Sequence, residues 1–361
     1  MGARDAHVVW FEDLDDDDRD VAGGKAVSLG RLVAAGIAVP PGYVVTTNAF
    51  REALRAFDPD GAIARLVENV DAEDEPACRH ASAEARARVE RAPLPADVES
   101  GIVAAYRRLC GDGQRADGPV AVRSSATMED GSDASFAGLQ DTFLWVRGEA
   151  AVLDAVRRCW ASLYSEASVS YRRRLNLPEG AMAMGVVVQK MVDARTAGVM
   201  FTRSPVTGDP SVIAISASWG LGSAVVGGEV TPDEFVVNKI TCELARQTIS
   251  DKATRHVPNR ETNGIREEPV PDDMRGVPSL TESDVRRLAE LGRAIERHHG
   301  RAQDIEWAIC ESDDAGAEPA IYLLQSRPET VWSSKETRLV ESVSANPFAN
   351  VLAIFGAPRK G

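Results

Sequence analysis

Cysteine is scarce in this chain and never arranged for chemistry. Its five cysteines (Cys78, Cys110, Cys159, Cys242 and Cys310) are odd in number, scattered, and never form a C-x-x-C pair. That pattern offers no zinc site and no disulfide framework, and it fits a reducing cytoplasm. Long apolar runs are missing too: none approaches the ~20 residues of a membrane span. The opening MGARDAHVVWFEDLDDDD turns acidic before a secretion signal could build its apolar core. Ala6 stands where a myristoylation signal needs Ser or Thr. Positive charge is in deficit. The 41 Lys and Arg against 55 Asp and Glu leave a net charge of −14, which argues against a general nucleic-acid or anionic-membrane binder. A small anionic ligand would need Lys and Arg placed locally. With 361 residues, two or three folding units are expected.

Two familiar phosphate-binding loops fail on register. Gly23, Gly24 and Lys25 precede a helical pattern that stops at Gly36, and a helix start with glycine freedom makes an anion-friendly corner. The Walker spacing fails, however, and Ala26 follows the lysine. In GLGSAVVGG, Val225 stands where a dinucleotide fingerprint needs its third glycine.

The richest polar chemistry lies between Gln303 and Glu329, as two strands, DIEWAIC and AIYLLQSR, joined by an acidic turn. Alternation puts Asp304 and Glu306 on one face, with Ile305, Trp307 and Ile309 on the other. Gln325 and Arg327 share a face on the second strand. Carboxylate and amide oxygens suit a hard cation, and a guanidinium suits phosphate. On these residues alone, a metal–nucleotide floor and a solvated, charged hairpin face both fit.

Elsewhere, HVVWFEDL reads as a first strand and Asp15 to Asp18 as a solvated loop. Residues 48–115 read as helices, ASAEARARVERA being amphipathic. A strand from Val120 leads through Arg123, Ser124, Ser125 and Thr127 into a glycine-rich loop at 131–138, suited to cover an anion. Residues 152–175 alternate in helical fashion. MAMGVVVQKMV is a buried strand whose exit, Gln189, Lys190 and Met191, suits a hinge where an adenine edge could meet backbone groups. Residues 240–275 look polar and irregular. A helix begins at Thr281 and stops at Gly300, with His298 and His299 suiting its C-terminal dipole.

Taken in order, GGKAVSLG, VAVRSSATMEDGSDASFAGLQDTFLWVRG, VVVQKMVDARTAGVMFTRSPVTG, ASWGLGSAVVGGEVTPDEF, DIEWAI and LQSRPET resemble the nucleotide-binding domain of the phosphoenolpyruvate synthase and pyruvate phosphate dikinase family. The resemblance covers roughly residues 8–332 and implies an α+β ATP-grasp fold, two lobes clamping Mg-ATP. Residues 1–200 would form the N-terminal lobe with a helical insertion at 48–115, 201–332 the C-terminal lobe, and 333–361 a tail or linker. It further implies that Lys25 and Arg123 hold the phosphates, and that Glu306 and Gln325 ligate magnesium with Asp304 nearby. Arg327 would stand beside the transferring phosphoryl group, and Gln189 to Val192 beside adenine.

Full-length members of that family carry a phospho-accepting histidine in a T-x-H-A-type motif. None of His7, His80, His256, His298 and His299 has that setting. The resemblance therefore leads to an ATP-dependent phosphotransferase needing a histidine-bearing partner, similar to the split phenylphosphate synthase, with a phenol or alcohol as final acceptor. The alternatives are a domain of a phosphoenolpyruvate synthase or rifampicin phosphotransferase, direct phosphorylation of a small acceptor, and a non-catalytic nucleotide sensor.

Overall fold

The computed structural model describes residues 6–71, 73–111, 117–127, 141–175, 178, 182–311 and 318–332. The 131–138 loop and the 333–361 tail lie outside the described residues.

The first half of the chain runs β1 (Val8–Trp10), α1 (Arg19–Ala34), β2 (Gly42–Val45), α2 (Thr47–Phe57), α3 (Ala62–Glu68), α4 (Glu75–Arg91), α5 (Ala96–Cys110), β3 (Val120–Ala126), β4 (Thr142–Val146), α6 (Glu149–Ser162), α7 (Glu166–Arg174) and β5 (Met184–Lys190). Its strands form a five-stranded antiparallel sheet in the order β1-β2-β5-β3-β4. The apolar run of β5 is explained by burial on both faces. Val186 and Val188 pack into a core with the helices α2 to α6, while Val187 packs with Val27 and Leu29 of α1.

The second half runs β6 (Thr196–Phe201), β7 (Val212–Trp219), α8 (Ser223–Val226), β8 (Asp233–Asn238), β9 (Leu244–Thr248), β10 (Thr254–Pro258), β11 (Ile265–Pro269), α9 (Asp272–Arg275), α10 (Glu282–His299), β12 (Gln303–Cys310) and β13 (Ala320–Pro328). Six of these strands form a second antiparallel sheet, β13-β12-β6-β7-β8-β9, and β10 pairs with β11 as a separate hairpin. All of β6 except Phe201 falls before residue 201, where the sequence boundary begins the second lobe, yet the strand is hydrogen-bonded on both sides within the second sheet. Helix α10 covers one face of that sheet through Val285, Leu288, Ala289 and Ile295. Its start is fixed by Thr281 and Asp284, which cap each other reciprocally, and its end by left-handed Gly300. Among the described residues no helix is long and apolar enough to cross a membrane.

The mixed α+β class stands, with local corrections. Only Val8–Trp10 of the first segment is strand; Phe11–Asp13 winds into a 3-10 turn. Asp15 to Asp18 is more than a solvated loop. The Asp15 carboxylate accepts from Asp17 N–H at 2.8 Å, and Asp18, buried, accepts from Asp15 N–H at 3.0 Å, so the run caps its own 3-10 turn immediately ahead of α1. Residues 152–175 split into α6 and α7, the second capped by Ser165. The stretch 240–275 is not irregular but holds β9, the β10–β11 hairpin and α9. Its strands are short and largely exposed, so they carry no clean apolar alternation.

Gly198, mid-strand in β6, is required by packing. A Cβ there would fall 1.9 Å from the carbonyl oxygen of Ser216 on β7. Gly198→Ala is expected to force the ladder apart, costing about 1–3 kcal/mol or preventing folding. A thermal melt of the purified variant, or its loss to the insoluble fraction, checks this.

Candidate active site

Between the two sheets lies a cavity of 730 Å³, walled by Ala121, Arg123 and Gln189 of the first sheet and by Gly198, Glu306, Gln325 and Arg327 of the second. Its floor is built by β12 and β13. Their register sets Asp304 opposite Arg327 and Glu306 opposite Gln325. The opposite face, Ile305, Trp307, Ile309 and Leu323, is buried beneath α10. The alternation thus sends the apolar set into the core and holds Glu306, Gln325 and Arg327 to the cleft.

The register then shifts between Glu306 and Trp307, the latter facing Leu323, so that Leu324 is an extra residue on β13. Such a bulge re-aims the groups beside it. The Leu324 carbonyl accepts a hydrogen bond from Arg123 Nη1 at 2.8 Å. Arg123 Nη2 donates to Glu306 Oε2 at 2.8 Å and to Gln325 Oε1 at 2.7 Å. One buried guanidinium from β3 therefore links three acceptors on two strands of the opposite sheet. Its Nε is buried without a hydrogen-bond partner among the described residues.

Lys25 is held against the same strand. Gly23 sits at φ +81° inside α1, and a Cβ there would fall 2.0 Å from Ser125 O. This close approach lets Ala26 N–H reach Ser125 Oγ at 3.1 Å and lets Lys25 Nζ donate to Ser124 O at 2.6 Å. Lys25 is buried yet lines the cavity. Helix α1 also touches the second sheet, where Ser28 Oγ donates to Ser326 O at 2.8 Å.

Gln189, Lys190, Met191 and Val192 all line the cavity. The strand exit is fixed by Lys190 N–H to Pro41 O at 2.8 Å and Met191 N–H to Pro119 O at 2.9 Å, and Gln189 Nε2 donates to Pro40 O at 3.2 Å. Asp304 does not line the cavity. Its Oδ1 is buried with no hydrogen-bond partner among the described residues. Burial, with the Glu329 charge adding and Arg327 opposing, pushes its carboxyl up to about 6.

The sequence reading missed one wall. Ser223, Glu229 and His256 line the cavity, as do Asn263 and Gly264 at the tip of the β10–β11 hairpin. That tip crosses to the first sheet. Gly264 N–H donates to Trp145 O at 3.0 Å, and the Asn263 amide accepts from Arg147 N–H at 2.9 Å and donates to Arg147 O at 3.2 Å. Because β11 is largely exposed and β10 mixes buried and half-buried polar residues, no periodic signal marked them; Asn263-Gly264, a turn dipeptide, was the one available sign.

Residues 19–345 match the family described as pyruvate phosphate dikinase, AMP/ATP-binding domain. A probable phosphoenolpyruvate synthase of Methanothermobacter thermautotrophicus is 41% identical over 350 residues, covering 94% of this chain and 50% of that protein. A phosphoenolpyruvate synthase of Aeropyrum pernix is 41% identical over 367 residues, 94% of this chain and 44% of that protein. A rifampicin phosphotransferase of Streptomyces sviceus is 41% identical over 325 residues, 90% of this chain and 36% of that protein. The chain thus spans half or less of the length of these relatives.

Proposed function

The chain belongs to the pyruvate phosphate dikinase AMP/ATP-binding family, and on that footing we propose that its cleft cleaves Mg-ATP and passes the β-phosphoryl group to a histidine. The single observation that supports this best is Arg123 converging with Glu306 and Gln325 across the cleft, at 2.8 and 2.7 Å. Phosphoryl transfer depends mostly on positioning and charge neutralisation, so a cation-rich cleft floored by oxygen donors is the apparatus it needs.

In this reading the two sheets are the cores of two ATP-grasp lobes, with the boundary in the segment 191–195 just ahead of β6. Adenine lies against Gln189 to Val192. Lys25 and Arg123 take the phosphates, and Arg327 stands by the phosphoryl group in transfer. Arg123 exchanges its Glu306 and Gln325 partners for phosphate oxygens, so its buried charge is paired in both states.

The donor set fits a hard cation: Glu306 offers a carboxylate and Gln325 a carbonyl oxygen, paired across the two strands on the cavity wall, with Asp304 nearby on β12 but outside the cavity lining. Magnesium held there would supply charge neutralisation to the phosphate chain.

The receiving histidine belongs to a separate partner chain or a further domain, since none of the five histidines here sits in the T-x-H-A setting. The coverage of half or less of each relative favours the further-domain form as a second reading. The final acceptor is a small oxygen nucleophile of the phenol or alcohol type.

ATP labelled separately at the β and γ positions, mixed with this protein and a histidine-domain partner, tests the proposal. The expected result is AMP and γ-labelled phosphate in solution and β label on the partner. ADP as product with γ label transferred, or no label on a folded partner, would overturn it.

A further inference from the structure

The proposed chemistry uses the base end and the phosphate end of the cleft, and leaves one polar group of its wall unassigned. His256, buried at the root of the β10–β11 hairpin, has both ring nitrogens engaged. Nδ1 lies 2.8 Å from Ser223 Oγ and Nε2 lies 3.1 Å from Glu229 Oε2. All three residues line the cavity. The main chain that carries the ring is held in place: Leu221 N–H donates to His256 O at 2.9 Å. Gly220, at φ +77°, passes so close that a Cβ would fall 2.4 Å from that same oxygen.

Glu229 lies beside His256 on the same wall. Its backbone N–H donates to Ala224 O at 3.0 Å, and a Cβ on Gly227, itself a cavity residue, would fall 2.7 Å from Glu229 Oε1. The carboxylate thus lies against the open face of Gly227 on the cleft wall. With Oε2 turned to His256, Oε1 has no hydrogen-bond partner among the described residues. The side chain remains 57% exposed, so the carboxylate is open to a ligand.

We infer that Glu229 reads the ribose of the bound nucleotide, accepting hydrogen bonds from its 2′- and 3′-hydroxyls, and that His256 and Ser223 position it. This rests on the Mg-ATP reading of the cleft. A carboxylate has the acceptor-only character that a vicinal diol requires, and acidic residues serve this purpose in other nucleotide folds. In the proposed reading Lys25, Arg123 and Arg327 serve the phosphates, where a carboxylate without a cation would repel the ligand, so Glu229 is better matched to the neutral sugar. Glu229 is a specificity residue and His256 a positioning residue; neither takes part in phosphoryl transfer.

The test is equilibrium binding, by calorimetry, of ATP, 2′-deoxy-ATP and 3′-deoxy-ATP, each with magnesium. Wild-type protein is compared with Glu229→Ala, Glu229→Asp and His256→Asn. Hydrogen bonds to a charged acceptor lead to a wild-type preference for ATP of about 10- to 100-fold over either deoxynucleotide. Glu229→Ala should erase that ratio mainly by weakening ATP, Glu229→Asp should restore part of it, and His256→Asn should fall between. A merely structural ion pair would weaken all three nucleotides alike and leave the ratio intact, which overturns the inference. Equal wild-type affinities would overturn it too, while leaving the Mg-ATP reading standing. No binding of any nucleotide to folded wild-type protein would sink both.

Discussion

Arg123→Met is expected to reduce AMP formation in the presence of a histidine partner by about 10²-fold or more, the usual cost of losing a charge-stabilising group in a transfer site. Methionine keeps most of the volume of the buried stem but removes all three bonds that cross the cleft, to Leu324 O, Glu306 and Gln325. The Glu306 carboxylate then faces the cleft without its cation. Arg123→Lys should rescue little. A lysine carries the charge as a single point, whereas here the two terminal nitrogens of one planar group serve three acceptors in different directions. Single-turnover AMP release, with a melting curve to verify folding, is the measurement. Near-normal transfer in a folded Arg123→Met protein would remove Arg123 from the chemistry.

Trp307→Ala should have the largest effect on stability, about 3–5 kcal/mol, in keeping with truncation of a large buried aromatic. Trp307 is fully buried on β12 and packs in the core formed with Leu288, Ile305 and Leu323. Its indole Nε1 has no hydrogen-bond partner among the described residues, so the loss comes from transfer and cavity terms rather than a broken polar contact. The neighbouring Glu306 stands on the cleft side of the same strand, beside the bulge. A cavity under Trp307 therefore loosens the floor as well as the fold. Urea unfolding reads the loss as a lower midpoint, and Trp307→Phe should recover most of it. A midpoint unchanged by Trp307→Ala would mean that the core is not built as described.

The sequence made the hairpin legible because strand alternation is local. Ile305, Trp307 and Ile309 against Asp304 and Glu306 needed only a period of two. The register of the strand pair and the extra residue at Leu324 were not legible, since they depend on which residues of β13 face which of β12. The link from Arg123 to Glu306 spans 183 positions, and no periodicity carries that distance. What connected them at the sequence level was the ordered set of resembling segments, and the family match across residues 19–345 accords with it.

The helices α4, α5 and α10 followed from amphipathic spacing and caps, whereas the break between α6 and α7 was hidden because apolar residues continue through it. His256 was invisible for a different reason. It lies on a half-exposed strand, and its partners Ser223 and Glu229 become its neighbours only when the hairpin folds back on the 221–229 segment.

The central claim is that this cleft holds ATP with a cation seated on Glu306 and Gln325. Calorimetric titration of ATP into the protein, with and without magnesium, tests it most directly when repeated on Glu306→Gln and Gln325→Leu. The account leads to ATP binding that magnesium tightens in the wild type, with that tightening lost in both variants. ATP binding indifferent to magnesium, or a magnesium effect undiminished in the two variants, would contradict it.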